Sequence, residues 1–251
     1  AKLLMVVRRE AGGLRRYVHM GTGNYHPRTA RLYTDFGLFT CNEEVCSDVN
    51  EIFVQLTGLG KASKLKHLWQ SPFTLHSNVL ESIRNEIALA KTGKPAHVIA
   101  KMNALLEPET INTLYEASQA GVKVDLIVRG VCALRPGVKG LSENIRVRSI
   151  IGRFLEHTRI FYFRNGGKED IYLASADWMD RNFFRRIETA FPVLNPKLKK
   201  RVIAEGLKPY LRDNVQAWDM LPDGSYRRRA KRRAKPYSAQ VELLALLTRR
   251  A

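Results

Sequence analysis

Hydrophobic positions along this chain come in short runs, each closed by glycine, proline or charge, and the period of the runs predicts the elements. Residues 3–8 and 14–20 read as the two strands of a β-hairpin turning at Gly12-Gly13. Asn42 then precedes Glu43 and Glu44, an N-cap followed by acidic residues in a first helical turn. Val45, Val49, Ile52, Phe53 and Leu56 recur on one face of that helix until Gly58 stops it. Between Gly60 and Lys66 lysines and small residues take over, the composition of a linker. Beyond it the pattern predicts a helix over 75–91, a strand at 97–102, a helix over 109–120 ending on Gly121, and a strand at Val122–Val128. Strands near 145–150, 158–163 and 170–174 follow, then a helix over roughly 196–211. Alternation of this kind predicts an α/β lobe with a largely buried sheet.

One part of the pattern occurs twice. His157-Thr158-Arg159 leads into the apolar run Ile160–Phe163, a Gly166-Gly167 turn, a second run Ile171–Ala174, and Ser175-Ala176-Asp177-Trp178. The chain opens with Ala1-Lys2, the run Leu3–Val7, the Gly12-Gly13 turn, Arg16-Tyr17-Val18-His19 and Gly21-Thr22-Gly23-Asn24. Superposed, Lys2 falls on Arg159, so a histidine is expected immediately before Ala1. An H-x-K/R element repeated in two halves suggests a phosphoryl-handling site where two similar lobes meet.

Composition narrows the partners. The 251 residues are 45% hydrophobic, enough for one substantial core, and no run approaches the roughly 18 apolar residues of a membrane span. Against 24 Asp+Glu stand 42 Lys+Arg, a net +18 that attracts polyanions without saying whether nucleic acid, lipid headgroups or a phosphate polymer. Part of the excess is the run Arg227–Arg229 and Lys231–Arg233, read as a solvated basic tail. Cys41, Cys46 and Cys132 lack metal-ligand spacing and cannot all pair, as expected of inert thiols in a reducing cytosol.

The candidate chemistry sits at strand ends. His157 precedes a predicted hairpin, and Arg159, two residues on, shares its face in a strand. Imidazole beside guanidinium is a poor core pair and a good phosphate pair, because histidine can attack phosphorus or carry a proton and arginine offers a planar fork. Gly21 and Gly23 would let backbone N–H groups approach a phosphate, with Asn24 as a side-chain donor; no clear helix follows, so this is not a dinucleotide fingerprint. His19, at the strand end before that loop, reads alone as a structural histidine. Arg129 closes the run Val124–Val128 ahead of Gly130, at the C-terminal edge where α/β sheets gather ligands. Tyr33 reads equally as core or as a stacking platform for a base.

The segments RYVHMGTGNYHPRTARLYTDFGLFT, LYEASQAGVKVDLIVRGVCALRPGVKGLSENIRVRSIIGRFLEHTRIFYF and YLASADWMDRNFFRRIE resemble the C-terminal part of the long-chain bacterial polyphosphate kinases, in register from Lys2 to about Lys199. The resemblance implies reversible transfer of the terminal phosphate of ATP to inorganic polyphosphate, with Mg2+, through a phosphohistidine. It implies two phospholipase D-like α/β lobes, mixed sheets flanked by helices. The first would be truncated (1–62), the second nearly whole (63–215), and a basic tail would follow (216–251). The phosphorylated histidine is implied to be the one expected before Ala1, so this chain alone is expected to make no polyphosphate. Tyr33 is implied to face the nucleotide, Arg129 and His157 its phosphates, with Lys2 beside them; His19 matches a second family histidine near the site. The family's magnesium ligands are expected upstream. A cytoplasmic enzyme is expected, self-associating and in contact with a membrane surface, with ATP, ADP and polyphosphate rather than nucleic acid as partners. Arg159 stands where phospholipase D motifs carry lysine, a change this kinase family tolerates.

Two other readings compete. A phospholipase D-like phosphodiesterase or nuclease would want a histidine–lysine pair in each half and leaves TARLYTD and LIVRG unexplained. A non-catalytic polyanion-binding module would want aromatics interleaved with the basic run, and only Tyr226 and Tyr237 flank it.

Overall fold

In the computed structural model residues 1–58, 64–229 and 235–249 are described. Most of the expected linker, the boundary between residues 62 and 63, and Lys231–Arg233 of the basic run lie outside them. The chain opens with the expected hairpin, β1 (Leu3–Glu10) and β2 (Gly13–Gly21), paired from Leu3↔Met20 to Glu10↔Gly13. Gly13 holds φ +114° at the turn, a left-handed value that favours glycine. A short helix α1 (Pro27–Leu32), which the sequence did not announce, leads into β3 (Tyr33–Thr34). Then β4 (Gly37–Thr40) pairs with β2, completing the antiparallel sheet β1-β2-β4.

Helix α2 (Glu43–Gly58) starts as its sequence dictates, with Asn42 Oδ1 accepting from Val45 N at 3.0 Å. Val45, Val49 and Ile52 are buried, whereas Leu56, expected on the same face, is 48% exposed. Period 2 also holds in the sheet. Val18 and Met20 face inward, while Leu4, Val6 and Phe39 stand exposed on the outer side, Phe39 at 81%.

After β5 (Trp69–Gln70), helix α3 (Leu75–Lys91) and strand β6 (His97–Met102) fall on their predicted bounds. Next come α4 (Pro108–Gln119), β7 (Lys123–Val128), β8 (Ile145–Ile150), β9 (Leu155–Glu156), β10 (Arg159–Phe163), β11 (Asp170–Ala174), α5 (Asp180–Phe184) and β12 (Thr189–Pro192). Strands β6, β7 and β8 are parallel; β10, β11, β12 and β5 extend the sheet antiparallel on one side. Both faces are covered, which is why these strands read as unbroken apolar runs. Val98, Ala100, Met102, Val124, Leu126 and Phe161 pack under α3 and α4. Ile99, Ile127, Ile160 and Leu173 point the other way, toward Val18, Met20, Val49 and Ile52 of the first half. Each such side chain contributes about 1.5–3 kcal/mol by leaving water, so the two halves share one core.

Two expectations change beyond residue 195. The single helix over 196–211 is α6 (Pro196–Val202), a π-turn at Ile203–Leu207, and α7 (Lys208–Arg212). Pro209 lacks an N–H and its ring crowds the preceding turn, so the helix widens rather than continuing its regular ladder. The segment from 216 onward is not a loose tail where it is described. It supplies β13 (Ala217–Met220), paired with β8, the edge strand β14 (Tyr226–Arg228), and a C-terminal helix α8 (Ala239–Thr248). Ala217 and Ala239 are fully buried in the shared core; apolar burial among the arginines outweighed their charge. Cys41, Cys46 and Cys132 are unpaired, and burial pushes the Cys132 thiol up to about 11.

Candidate active site

The repeat seen in sequence is a repeat in space. β1-β2-β4 and β10-β11-β12 are both antiparallel, three strands in chain order. A parallel two-strand contact, Tyr33↔Leu155 and Thr34↔Glu156, joins the copies. It lays residues 33–35 of the first half against residues 155–158 of the second, and the candidate chemistry collects at that seam.

His157 stands between β9 and β10, 8% exposed. Its Nδ1 lies 2.8 Å from Asp35 Oδ1 and its Nε2 3.0 Å from the Arg159 Nη1. A guanidinium only donates and a carboxylate accepts, so the network assigns the proton to Nδ1 and leaves a lone pair on Nε2. The Tyr33 ring is tilted against the imidazole with centroids 5.0 Å apart. It is half-buried and also lines a cavity of about 450 Å³ with Phe154, Leu243, Leu244 and Leu247. Tyr33 is therefore neither plain core nor open platform but a wall between the two.

Arg129 ends β7 as expected. Its Nε donates to Asn103 Oδ1 at 3.0 Å and to the carbonyl of Glu156, the residue before His157, at 2.8 Å. Its terminal amino groups make no hydrogen bond among the described residues, so the two-pronged end is available to a ligand. Arg159 is used differently. Its Nε and Nη2 bind both oxygens of Asp177 at 3.2 and 3.1 Å, and Nη1 donates to the carbonyls of Thr22 and His157. Only 7% exposed, it ties the two halves together and fixes His157 rather than offering its fork outward.

The Gly21–Asn24 loop enters through its backbone. Gly21 N donates to Lys2 O, Thr22 Oγ1 donates to Asp35 Oδ1 at 2.9 Å, and Thr22 O accepts from Arg159. A Cβ at Gly23 would overlap the Asp35 carboxylate, so glycine is required there by the carboxylate's approach. Asn24 is exposed at the edge of the cluster. The Lys2 ammonium lies 3.9 Å from Glu188 Oε2. Burial holds its pKa below the usual lysine range and nearby Arg159 adds to the depression, while Glu188, Asp177 and Asp35 oppose it. Lys2, Arg159 and Asp35 thus belong to one charged cluster.

His19 is not joined to it by any hydrogen bond or ring contact among the described residues. It lies on the outer face of the first sheet, its Nδ1 2.7 Å from the Tyr25 hydroxyl and its ring 4.4 Å from that of Phe39. Alternation along β2 decides this, because Val18 and Met20 take the inward positions. Burial lowers its pKa.

Four side chains at the cluster carried no site role in the sequence reading: Asp35, Asp177, Asn103 and Glu188. Asn103 N and Nδ2 donate to Asp177, which orients Arg159. Glu188 is 4% exposed and accepts from Ser175 Oγ and, at 3.2 Å, from Asn182 Nδ2. Asp35 and Glu188 occupy equivalent places, just ahead of the third strand of each copy. Asp35 reaches across to His157 of the second half, and Glu188 across to Lys2 of the first. The signal in sequence was a lone carboxylate before an apolar run in each repeat, too short to be read without the strands.

Comparison with known proteins covers the same two halves. Residues 1–62 match the family profile described as Polyphosphate kinase C-terminal domain 1, and residues 68–240 the one described as Polyphosphate kinase C-terminal domain 2. Among curated relatives, a polyphosphate kinase of Paraburkholderia phytofirmans is 64% identical over 248 residues, 97% of this chain and 36% of that protein. One of Burkholderia cenocepacia is 66% identical over 250 residues, 98% of this chain and 36% of that protein. The chain therefore spans about a third of the length of these relatives. The crystal structure of polyphosphate kinase from Porphyromonas gingivalis superposes with a TM-score of 0.93 at 37% identity, over 100% of this chain and 39% of that one.

Proposed function

Because the chain belongs to the polyphosphate kinase family, we propose that it forms the phosphate-handling end of an ATP:polyphosphate phosphotransferase that works reversibly through a phosphohistidine. The observation that carries the proposal is the seam itself. Lys2 and Asp35 from one half, and His157, Arg159 and Arg129 from the other, gather at a single cluster in which, among the described residues, the fork of Arg129 stays unspent.

Phosphoryl transfer passes through a loose, highly charged transition state, so the protein's task is to position the groups and surround them with cations. Arg129 grips phosphoryl oxygens in a two-pronged contact that a point charge cannot reproduce. The half-buried ammonium of Lys2 adds a second cation to the cluster, beside the position expected for the phosphorylated histidine. His157, oriented by Asp35 through Nδ1 and by Arg159 at Nε2, takes or returns a proton at Nε2 when the leaving oxygen replaces the Arg159 contact there. Tyr33 presents its ring to the nucleotide. The net +18 draws in polyphosphate, itself a polyanion. Among the described residues no three His, Cys, Asp or Glu side chains converge as a metal site.

The test is formation of polyphosphate from γ-labelled ATP by the full-length enzyme, and of ATP from polyphosphate and ADP. Loss of both directions in His157→Ala and Arg129→Ala supports the proposal. Unchanged rates in both variants would overturn it. Tyr33→Phe should be milder than Tyr33→Ala if the ring is what meets the base.

A further inference from the structure

A buried ion pair lies directly beneath the cluster. Lys101 is 1% exposed and donates to Glu156 Oε2 at 2.7 Å; Glu156 is 3% exposed. The same oxygen accepts from Thr34 Oγ1 at 2.8 Å, and Oε1 accepts from Gln240 Nε2 at 2.6 Å. The Lys101 ammonium also sits over the Tyr210 ring, 4.0 Å from its centroid. One carboxylate thus gathers β3 of the first half, β6, β9 and the first turn of α8, with α7 stacked against its partner. Burial by itself would raise the Glu156 pKa, but the Lys101 charge and the hydrogen bonds from Lys101, Gln240 and Thr34 hold it below the usual range.

Stability is a poor reason for such a pair, since the cost of desolvating both charges offsets most of their attraction. Its connections point to placement. The Glu156 carbonyl anchors Arg129 Nε at 2.8 Å, and the next residue is His157, whose N–H donates to Thr34 Oγ1 at 3.3 Å. Thr34 also stands between Tyr33 and Asp35, the two residues that face the imidazole. Gln240 closes the arrangement from outside. It is 5% exposed, accepts from Phe154 N and donates to Phe154 O, and so holds the backbone entering β9 by two bonds while a third reaches Glu156. Asp213 Oδ2 in turn anchors Ala239 N at 2.7 Å, fixing where Gln240 begins its reach.

We propose that Glu156, clamped by Gln240 of the C-terminal helix, is a positioning residue for phosphoryl transfer, holding the β3–β9 register on which His157, Arg129 and Tyr33 align. The inference rests on the phosphoryl-transfer reading given above.

Removing one charge alone would strand the other, so the test uses paired substitutions in the full-length enzyme. Lys101→Met with Glu156→Leu replaces the pair by apolar groups and removes the bonds to Thr34 and Gln240. Lys101→Met with Glu156→Gln removes the charges but keeps an acceptor for Gln240 and sets an amide donor opposite the Thr34 hydroxyl, which can accept. The Leu form should fold, lose about 10-fold or more in kcat, and keep KM for ATP within about twofold, as when only transition-state alignment suffers. The Gln form should recover most of the rate. A second readout is the rate at which diethyl pyrocarbonate modifies His157, followed by peptide mass spectrometry. It should change several-fold in the Leu form and return in the Gln form. Wild-type values for both readouts in a folded Leu form would overturn the proposal. If the Leu form does not fold, Gln240→Met makes the same comparison without touching the ion pair, and unchanged values there would overturn it equally. Should the wild-type enzyme make no polyphosphate, the phosphoryl-transfer reading falls, while the modification rates still decide whether Glu156 places His157.

Discussion

Asp35 holds the imidazole of His157 at 2.8 Å although 122 residues separate the two in sequence. The contact exists because β3 and β9 pair in parallel, so that the strand carrying Tyr33 and Thr34 delivers the next residue to the ring. A carboxylate on Nδ1 fixes the ring's rotation and sends the Nε2 lone pair inward. The interaction crosses between the two halves of the molecule, and so does the Arg159–Thr22 bond beside it. Site and inter-lobe seam are therefore one structure, and disturbing the seam disturbs the chemistry.

Gly23 tests that connection without touching a charged group. The Cβ of Gly23→Ala would overlap Asp35 and push its carboxylate off the imidazole. Displacement of this size is expected to lower kcat by roughly 10- to 100-fold, with circular dichroism and melting temperature close to wild type. A wild-type kcat in the folded variant would show that the Asp35–His157 pair is dispensable.

Arg129 is the cation left with an unspent fork. Arg129→Ala should cost roughly 10²–10³-fold in the rate of polyphosphate synthesis, the typical loss for one preorganised donor at developing charge. Arg129→Lys should restore part of it only, because a single ammonium cannot grip two oxygens. Steady-state kinetics in both reaction directions check this, and equal rates for the Ala and Lys forms would rule out a role for charge at this position.

Asp48 straps α2 to the segment that enters the second half. Buried at 3% exposure, its two oxygens accept from the backbone N–H groups of Lys66, His67 and Leu68 at 2.9, 2.7 and 2.9 Å. Asp48→Ala leaves three donors without partners and should destabilise the protein by at least about 2 kcal/mol. Urea unfolding gives the number. Limited proteolysis should move toward residues 58–68 in the variant, and an unchanged cleavage pattern would argue against the strap.

Acid sensitivity follows from carboxylates held below their ordinary range. In Glu156 and Asp125 burial pushes the pKa upward, but for Glu156 the Lys101 pair, and for Asp125 the bonds from His97 and Lys123, win and the net shift is downward. A carboxylate depressed in the folded state adds stability that is complete above its unfolded value, about 3.9 for Asp and 4.3 for Glu. That stability is lost as pH falls through the lower folded value. Melting temperature should therefore hold near neutrality and drop as pH falls below about 4.5. The Lys101→Met, Glu156→Gln form should show a shallower drop. A drop as steep as wild type would mean the ion pair does not supply the acid limb.

Much of the fold was legible because burial on a regular element leaves a period in the sequence. The bounds of α3 and β6 could be read to the residue, since one face or both faces of each meet the core and glycine or charge ends them. The repeated hairpin and the residues at its strand ends, His157 and Arg129 among them, were legible for the same reason. Family membership was legible from the long motifs.

The sequence by itself determined which face of most regular elements turns inward, that the hairpin recurs, and that phosphate-binding residue types stand at strand ends, because each of these is a local property carried by spacing. Only the tertiary structure decided who meets whom. It assigned Asp35 to His157 and Glu188 to Lys2 across the seam, spent the fork of Arg159 on Asp177, and left that of Arg129 open. It turned His19 to the outer face, paired Ala217–Met220 with β8, and set Ala239 and Gln240 at the start of α8 into the core despite their charged surroundings. Period tells a side chain which way to face, but partners more than a hundred residues apart are chosen by how packed surfaces fit, and no local pattern records that choice.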